Sequence, residues 1–236
     1  MTATLITGAN KGLGFETARR LVAAGHTVYV GSRDAERGRR AAERLGARAV
    51  QLDVTDDASV VAAVKVVEAG GGLDVLINNA GIQAEMRDGR VEVGAAEVTA
   101  DVMRETFETN VFGTVRVTRA FLPLLRRSAS PVVVNVSSGL ASLTLMATPG
   151  TPAYAYPGVA YAASKTALNM VTLQYAKAFP EMRINAVEPG FTSTDLNQGT
   201  GVQTVEQGAE IIVRMAQPGP DGPTGGYFGA DGAFPW

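Results

Sequence analysis

Short apolar runs alternate with longer amphipathic segments along nearly the whole chain, and this alternation predicts its architecture. The runs "ATLIT" (3–7), "TVYVG" (27–31), "RAVQLDV" (48–54), "LDVLIN" (73–78), "PVVVNVS" (131–137), "RINAVEP" (183–189) and "GYFG" (226–229) read as strands. Between them, helices are expected over 12–24, 34–46, 56–69, roughly 96–127, about 157–179 and near 204–216. Strands that are almost continuous Val, Ile and Leu have both faces buried, as in a parallel sheet. Strand alternating with helix then gives a doubly wound α/β (Rossmann) sheet of about seven parallel strands with helices on both faces. In the helix over 96–127, Met103, Phe107, Thr114, Val117 and Phe121 fall at helical spacings and mark the inward stripe. Gly and Pro cluster at 147–158 and from 218 onward, and both stretches read as loops.

Composition narrows the picture. The chain has 236 residues and no repeat or linker, so 1–236 is read as one domain with a large core. Its net charge of −2, with no long run of like charge, argues against nucleic acid or an acidic membrane as the main partner. There is no cysteine, which excludes disulfides, thiolate nucleophiles and Cys-bound metals. The one histidine, His26, stands between "AAG" and "TVYV" and reads as a turn residue. With no second histidine, neither a metal site nor a Ser-His-Asp triad is expected. The opening "MTATLITG" lacks a charged-plus-apolar signal pattern, and no apolar run approaches the ~20 residues of a membrane span. A cytoplasmic protein is expected.

Two motifs carry chemistry. The first strand ends in "TGANKGLG" (7–14), with glycines at 8, 12 and 14. A strand, a glycine-rich turn and a helix N-terminus together cradle a pyrophosphate, because the backbone comes close and the free N–H groups attract anionic oxygens. The spacing departs from the usual dinucleotide fingerprint, and a plain tight turn would also explain it. The second motif is "YAASK" (161–165). On a helix, positions i and i+4 share a face, with Cβ atoms ~5–6 Å apart, so Tyr161 and Lys165 point to one site. A free phenol of pKa ~10 is a poor base near neutral pH. A neighbouring ammonium is expected to lower that value and make a usable acid/base. Tyr154 and Tyr156 have Gly158 and Ala160 four residues on, so they are read as pocket wall or plain packing.

These two motifs occur with five others in register: "LDVTD" (52–56), "LDVLINNAG" (73–81), "ETNVFG" (108–113), "VVNVSS" (133–138) and "INAVEPGFTST" (184–194). Together they resemble the short-chain dehydrogenase/reductase family, in its branch of chains about this length, over nearly the whole sequence. The resemblance implies reversible hydride transfer between a nicotinamide cofactor and a carbonyl or secondary alcohol. It implies a catalytic set of Asn110, Ser138, Tyr161 and Lys165, with Tyr161 as general acid/base, Ser138 on the substrate oxygen, Lys165 on the nicotinamide ribose and Asn110 holding a relay water. Read alone, Asn110 is equally a satisfied core amide. Adjacent strand residues face opposite ways, so Ser137 is read as structural.

For the cofactor, the resemblance implies Gly8, Asn10, Lys11, Gly12, Leu13 and Gly14 around the pyrophosphate. It places Asp53, Val54, Asn79, Ala80 and Gly81 along the adenosine half, although Asp53 alone reads as a helix-entry residue. Tyr161 and Lys165 face the nicotinamide ribose, and Pro189, Gly190 and Thr192 or Thr194 lie by the nicotinamide, with Thr194 preferred. NADP(H) is expected over NAD(H). After the second strand, "GSRD" places Ser32 where an NAD user carries an acid, and Arg33 follows at once. Arg33 is a permanent planar cation suited to a 2′-phosphate, and Lys11 is a second cation in the glycine turn.

One departure concerns shape. Ser138 and Tyr161 are separated by about twice the usual family spacing, and the extra residues lie in 139–160. Carbonyl-reductase-like members carry a longer insertion there. It bears on the pocket and on the usual helix-to-helix contact between subunits, and a homodimer is favoured over a monomer. The loops 139–160 and 191–204 carry Leu, Met, Phe and Tyr, which suggests a mostly apolar small-molecule substrate. Two alternatives stay open: a non-enzymatic cofactor-sensing or scaffold protein on the same fold, and a family epimerase or dehydratase. An intact Asn-Ser-Tyr-Lys set argues against the first, and the glycine spacing against the second.

Overall fold

The computed structural model describes residues 1–219 and 221–236, and for Arg87 the backbone alone. Pro220, in the tail read as a loop, lies outside the described residues. In chain order the elements are β1 (Ala3–Ile6), α1 (Gly12–Ala23), β2 (Thr27–Ser32), α2 (Ala35–Leu45), β3 (Arg48–Gln51), α3 (Asp57–Ala69) and β4 (Val75–Asn78). A two-stranded hairpin of β5 (Met86–Arg87) and β6 (Arg90–Val91) follows, then α4 (Ala100–Phe107) and α5 (Thr114–Leu125). The second half holds β7 (Val132–Val136), α6 (Leu143–Met146), α7 (Ala160–Ala178), β8 (Arg183–Val187), α8 (Val205–Ala216), β9 (Tyr227–Gly229) and β10 (Gly232–Ala233).

The main sheet has the order β10-β9-β8-β7-β4-β1-β2-β3. Its seven expected strands are all parallel, and the two-residue β10 adds an antiparallel eighth at one edge. Burial on both faces explains the near-continuous apolar runs. Leu5, Leu76, Val133 and Ile184 enter one core cluster, whereas Ile6, Ile77, Val134 and Val187 enter the other. Neighbouring residues of one strand thus serve opposite layers. The chain leaves β1 toward β2 and β3, then returns to β4 on the other side. This switch point opens a crevice at the carboxyl ends of β1 and β4, where ligands bind in such sheets.

Helix starts follow local chemistry. Asp34 caps α2 by accepting from Arg37 N at 2.9 Å, and Asp56 caps α3 by accepting from Ala58 N at 3.0 Å. The third strand stops at Gln51, three residues earlier than expected, because Asp53 folds into a turn whose Oδ1 accepts from the Thr55 backbone N–H at 3.0 Å and its hydroxyl at 2.7 Å. The single helix expected over 96–127 is broken by a π-helical turn, Glu108–Gly113. The break holds Asn110 at Ile82 and Ser164, and lets Gly113 lie against Val54, where a Cβ would come within 2.8 Å. Among the described residues, no helix is long and apolar enough to cross a membrane.

Candidate active site

The glycine turn after β1 is built for close approach. Gly8 has φ +64°, and a Cβ there would stand 3.1 Å from Ala80 Cα. A Cβ on Gly14 would stand 2.8 Å from Gly8 O and 2.9 Å from Ala9 Cα. Thr7 Oγ1 accepts from the N–H groups of Asn79 and Ala80, both at 2.9 Å, and so locks the end of β4 onto this turn. No side chain caps the start of α1 among the described residues. Its first N–H groups and the positive end of its dipole therefore face the crevice. Lys11, expected as a cation for the cofactor, pairs with Asp195 at 2.7 Å across the cleft.

Three of the four expected catalytic residues meet at the carboxyl ends of β7 and β8 and the first turns of α7. Ser137 is buried and donates to Asn169 Oδ1 at 2.7 Å, leaving Ser138 to face the cleft, as the alternation of strand residues requires. Tyr161 is 7% exposed and Lys165 4%. Lys165 Nζ donates to Val136 O at 2.8 Å and lies 5.7 Å from the centre of the Tyr161 ring. Burial brings the Lys165 ammonium down to about 8. The Tyr161 phenol moves opposite to the expected direction. Burial pushes it up to about 12, a hydrogen bond with Ser138 pulls it back, and the Glu188 charge raises it further. Lys165 sits beside the ring and donates to a backbone carbonyl, so desolvation outweighs it.

Asn110 is buried but does not line the cleft. Its Nδ2 donates to Ile82 O at 2.9 Å and Ser164 Oγ at 3.0 Å, while its Oδ1 accepts from Ile82 N at 2.8 Å. These bonds join the π turn, the segment after β4 and α7, and leave one acceptor position on Oδ1. Every other residue expected at the site lines one cavity of about 960 Å³. It runs from the glycine turn and Arg33, past Asp53, Val54 and Asn79–Gly81, to Ser138, Tyr161, Lys165, Pro189, Gly190, Thr192 and Thr194. The Thr192 hydroxyl is turned inward onto Pro189 O at 3.0 Å, whereas Thr194 stands nearer the surface. Tyr156 lines the cavity and its hydroxyl accepts from Gln83 Nε2 at 2.7 Å. Tyr154 lies outside it and is 53% exposed. Leu140, Leu145, Ala153, Ala155, Phe191 and Leu196 give the far wall its apolar character.

This geometry has counterparts. A family model described as short chain dehydrogenase matches residues 2–204. The chain is 33% identical to (+)-neomenthol dehydrogenase from Capsicum annuum, over 95% of this chain and 94% of that protein. It is 30% identical to salutaridine reductase from Papaver bracteatum, over 97% and 94%. Among solved structures, NADPH-bound carbonyl reductase from chicken fatty liver superposes with a TM-score of 0.84 at 26% identity, over 100% of this chain and 99% of that one. The chain belongs to the short-chain dehydrogenase family. As such it is an oxidoreductase of Rossmann fold, in a family that binds nicotinamide cofactors and acts on carbonyl and alcohol groups.

Sequence reasoning missed two residues that shape this short-chain dehydrogenase. Glu85 is fully buried, and its carboxylate accepts from the first N–H groups of α7: Val159 N, Ala160 N at 2.6 Å and Tyr161 N at 2.8 Å. The acid reaches a helix start some 75 positions away, so no local pattern shows it. A charged acceptor on three otherwise unpaired donors fixes the angle at which α7 presents Tyr161. Glu85→Gln, which leaves one acceptor oxygen and no charge, should lower stability by about 1–2 kcal/mol. An unchanged denaturation midpoint would contradict that reading. Tyr227 was read only as part of the last strand, yet its hydroxyl donates to the backbone carbonyl of Ser138.

Proposed function

We propose that this short-chain dehydrogenase reduces an apolar carbonyl compound with NADPH, and runs the reverse oxidation, with Tyr161 as general acid/base. The observation that carries the reading is one continuous cavity joining the glycine cradle and Arg33 to Ser138, Tyr161 and Lys165. The cradle suits a dinucleotide, because Gly8 and Gly14 let the turn, the end of β4 and α1 pack closely around it, and the start of α1 has no side-chain cap among the described residues. Gly8–Gly14 would hold the pyrophosphate, Asp53, Val54 and Asn79–Gly81 the adenosine half, and Pro189, Gly190 and Thr194 the nicotinamide. When bound, the nicotinamide supplies or accepts the hydride.

The protein's own part is proton transfer and orientation. Tyr161, held high by burial, is a neutral phenol near pH 7 and can give its proton to the carbonyl oxygen as the carbonyl is reduced. Ser138 donates to the same oxygen and stabilises the charge that develops there. Lys165 is largely ammonium at that pH and would hold the ribose while offsetting a Tyr161 phenolate. Asn110, held by Ile82 and Ser164, would complete the proton relay through a water. The test is oxidation of NADPH, with NADH in parallel, against a panel of alicyclic and aromatic ketones and aldehydes. No turnover with any of them would defeat the proposal.

We also expect a homodimer, formed through the π turn, α5 and α7. Phe112 and Met170 stand 50% and 56% exposed on those elements, and a two-fold dimer is the commonest soluble assembly. Light scattering at micromolar concentration should return twice the 24.6 kDa chain mass. A clean single-chain mass would refute it.

A further inference from the structure

Tyr227 lies outside the large cavity, behind Ser138. Its hydroxyl donates to the Ser138 backbone carbonyl, which can only accept. Ala141 N donates to the same carbonyl at 2.8 Å, and the N–H at the other end of that peptide, on Gly139, donates to Glu188 Oε1 at 3.3 Å. The peptide plane after Ser138 is therefore held at both edges. Leu140 N, in the same turn Gly139–Ala141, donates to Ser138 Oγ at 3.3 Å. That bond takes a lone pair of the hydroxyl and leaves its proton free to donate elsewhere. Whatever fixes this peptide also fixes where the Ser138 hydroxyl stands. The sheet does not do so alone. β7 ends at Val136, and Ser138 lies one residue past the bond from Ser137 N to Val187 O, at 2.7 Å.

We propose that Tyr227 is a positioning residue for Ser138: by holding the peptide after it, Tyr227 aims the Ser138 hydroxyl at the substrate oxygen. The inference rests on the role proposed for Ser138 in carbonyl reduction. The Tyr227 hydroxyl is itself held from several sides. The residue is buried, with the small side chains of Ala141 and Ala186 in its cluster. The Phe234 ring meets the Tyr227 ring edge-on, 5.1 Å between centroids, and the Trp236 ring lies at 5.3 Å. Phe234 N also donates to Tyr227 O at 2.8 Å. An aromatic group near the end of the chain thus bears on the residue proposed to stabilise charge on the substrate, without touching the cavity.

Tyr227→Phe removes the hydroxyl but keeps the ring and its aromatic neighbours, and Ala141 N still satisfies the Ser138 carbonyl. With a carbonyl substrate taken from the NADPH panel, kcat should fall about tenfold, while KM stays within about twofold because the cavity wall is untouched. In a Ser138→Ala background the same change should cost less than about twofold, since no hydroxyl is left to aim. A merely structural role would lower both backgrounds alike. A second readout needs no turnover. Hydrogen exchange of the Gly139, Leu140 and Ala141 amides, which hold this turn, should quicken by about three- to tenfold in Tyr227→Phe. Phe234→Leu, which loosens the support of the ring and keeps the hydroxyl, carries the same expectations if Tyr227→Phe does not fold. An unchanged kcat, or equal losses in the two backgrounds, would overturn this inference and leave the enzyme reading standing. Quicker exchange in a protein that turns over no carbonyl would do the reverse: the enzyme reading falls and the hold of Tyr227 on Ser138 stands. Unchanged exchange overturns the role of Tyr227 in either case.

Discussion

Tyr161→Phe should keep the fold and the cofactor affinity while turnover falls about 100- to 10,000-fold, the usual size of a lost general acid. The ring would still fill its buried place on α7, beside Lys165 and above the Glu85 cap. The only loss is a hydroxyl hydrogen-bonded with Ser138. The other two tyrosines of the same stretch are internal controls. Tyr154→Phe alters a half-exposed side chain outside the cavity. Tyr156→Phe removes a cavity-wall hydroxyl whose partner is Gln83. Each should cost less than roughly tenfold on the same scale. Near-native turnover in Tyr161→Phe, with loss in either control, would show that the acid is misassigned.

Arg33→Ala should weaken NADPH binding by about 1.5–3 kcal/mol, roughly 10- to 150-fold, and hardly change NADH binding. The end of β2 supports this selectivity. Ser32 is buried and donates to Asp34 O at 2.8 Å, so it offers the ribose no carboxylate. Asp34 is engaged as the cap of α2, where its oxygen accepts from Arg37 N. Arg33 lines the cavity, is exposed and forms no ion pair among the described residues. Its planar donors therefore remain available to a 2′-phosphate. Lys11, engaged by Asp195 at 2.7 Å, would have to exchange partners to assist, so a smaller effect is expected from Lys11→Ala. Titration of both cofactors against both proteins measures the difference. Equal affinity of the unmutated protein for NADPH and NADH, or an equal loss of both in the variant, would remove the case for Arg33.

The long segment between Ser138 and Tyr161 shows where sequence reasoning was informative and where it stopped. Its length and its Gly and Pro content marked it as loop and as pocket material, and Leu140, Leu145, Ala153, Ala155 and Tyr156 do line the cavity. Which of its two tyrosines faces inward was not legible. That depends on Gln83, more than seventy positions earlier, which holds the Tyr156 hydroxyl. The short helix Leu143–Met146 was likewise hidden in that segment. It is held from the chain's far side, where the Trp236 carbonyl accepts from Thr144 N at 3.0 Å and Thr144 Oγ1 at 2.7 Å.

By itself, the sequence determined the doubly wound sheet, the glycine cradle and the shared face of Tyr161 and Lys165. Each depends on chain-local physics: doubly buried strands demand continuous apolar residues, close backbone approach demands glycine, and a helix repeats every 3.6 residues. Only the tertiary structure decided the working state of the site. Tyr161 is raised instead of lowered because burial and Glu188 act on it together, and neither is written in "YAASK". Asn110 is held by Ile82 and Ser164, 28 and 54 positions away, which take both of its donors. Glu85 holds the start of α7 across 76 positions. Proton affinity and side-chain orientation answer to neighbours in space, and the fold brought those neighbours from remote parts of the chain.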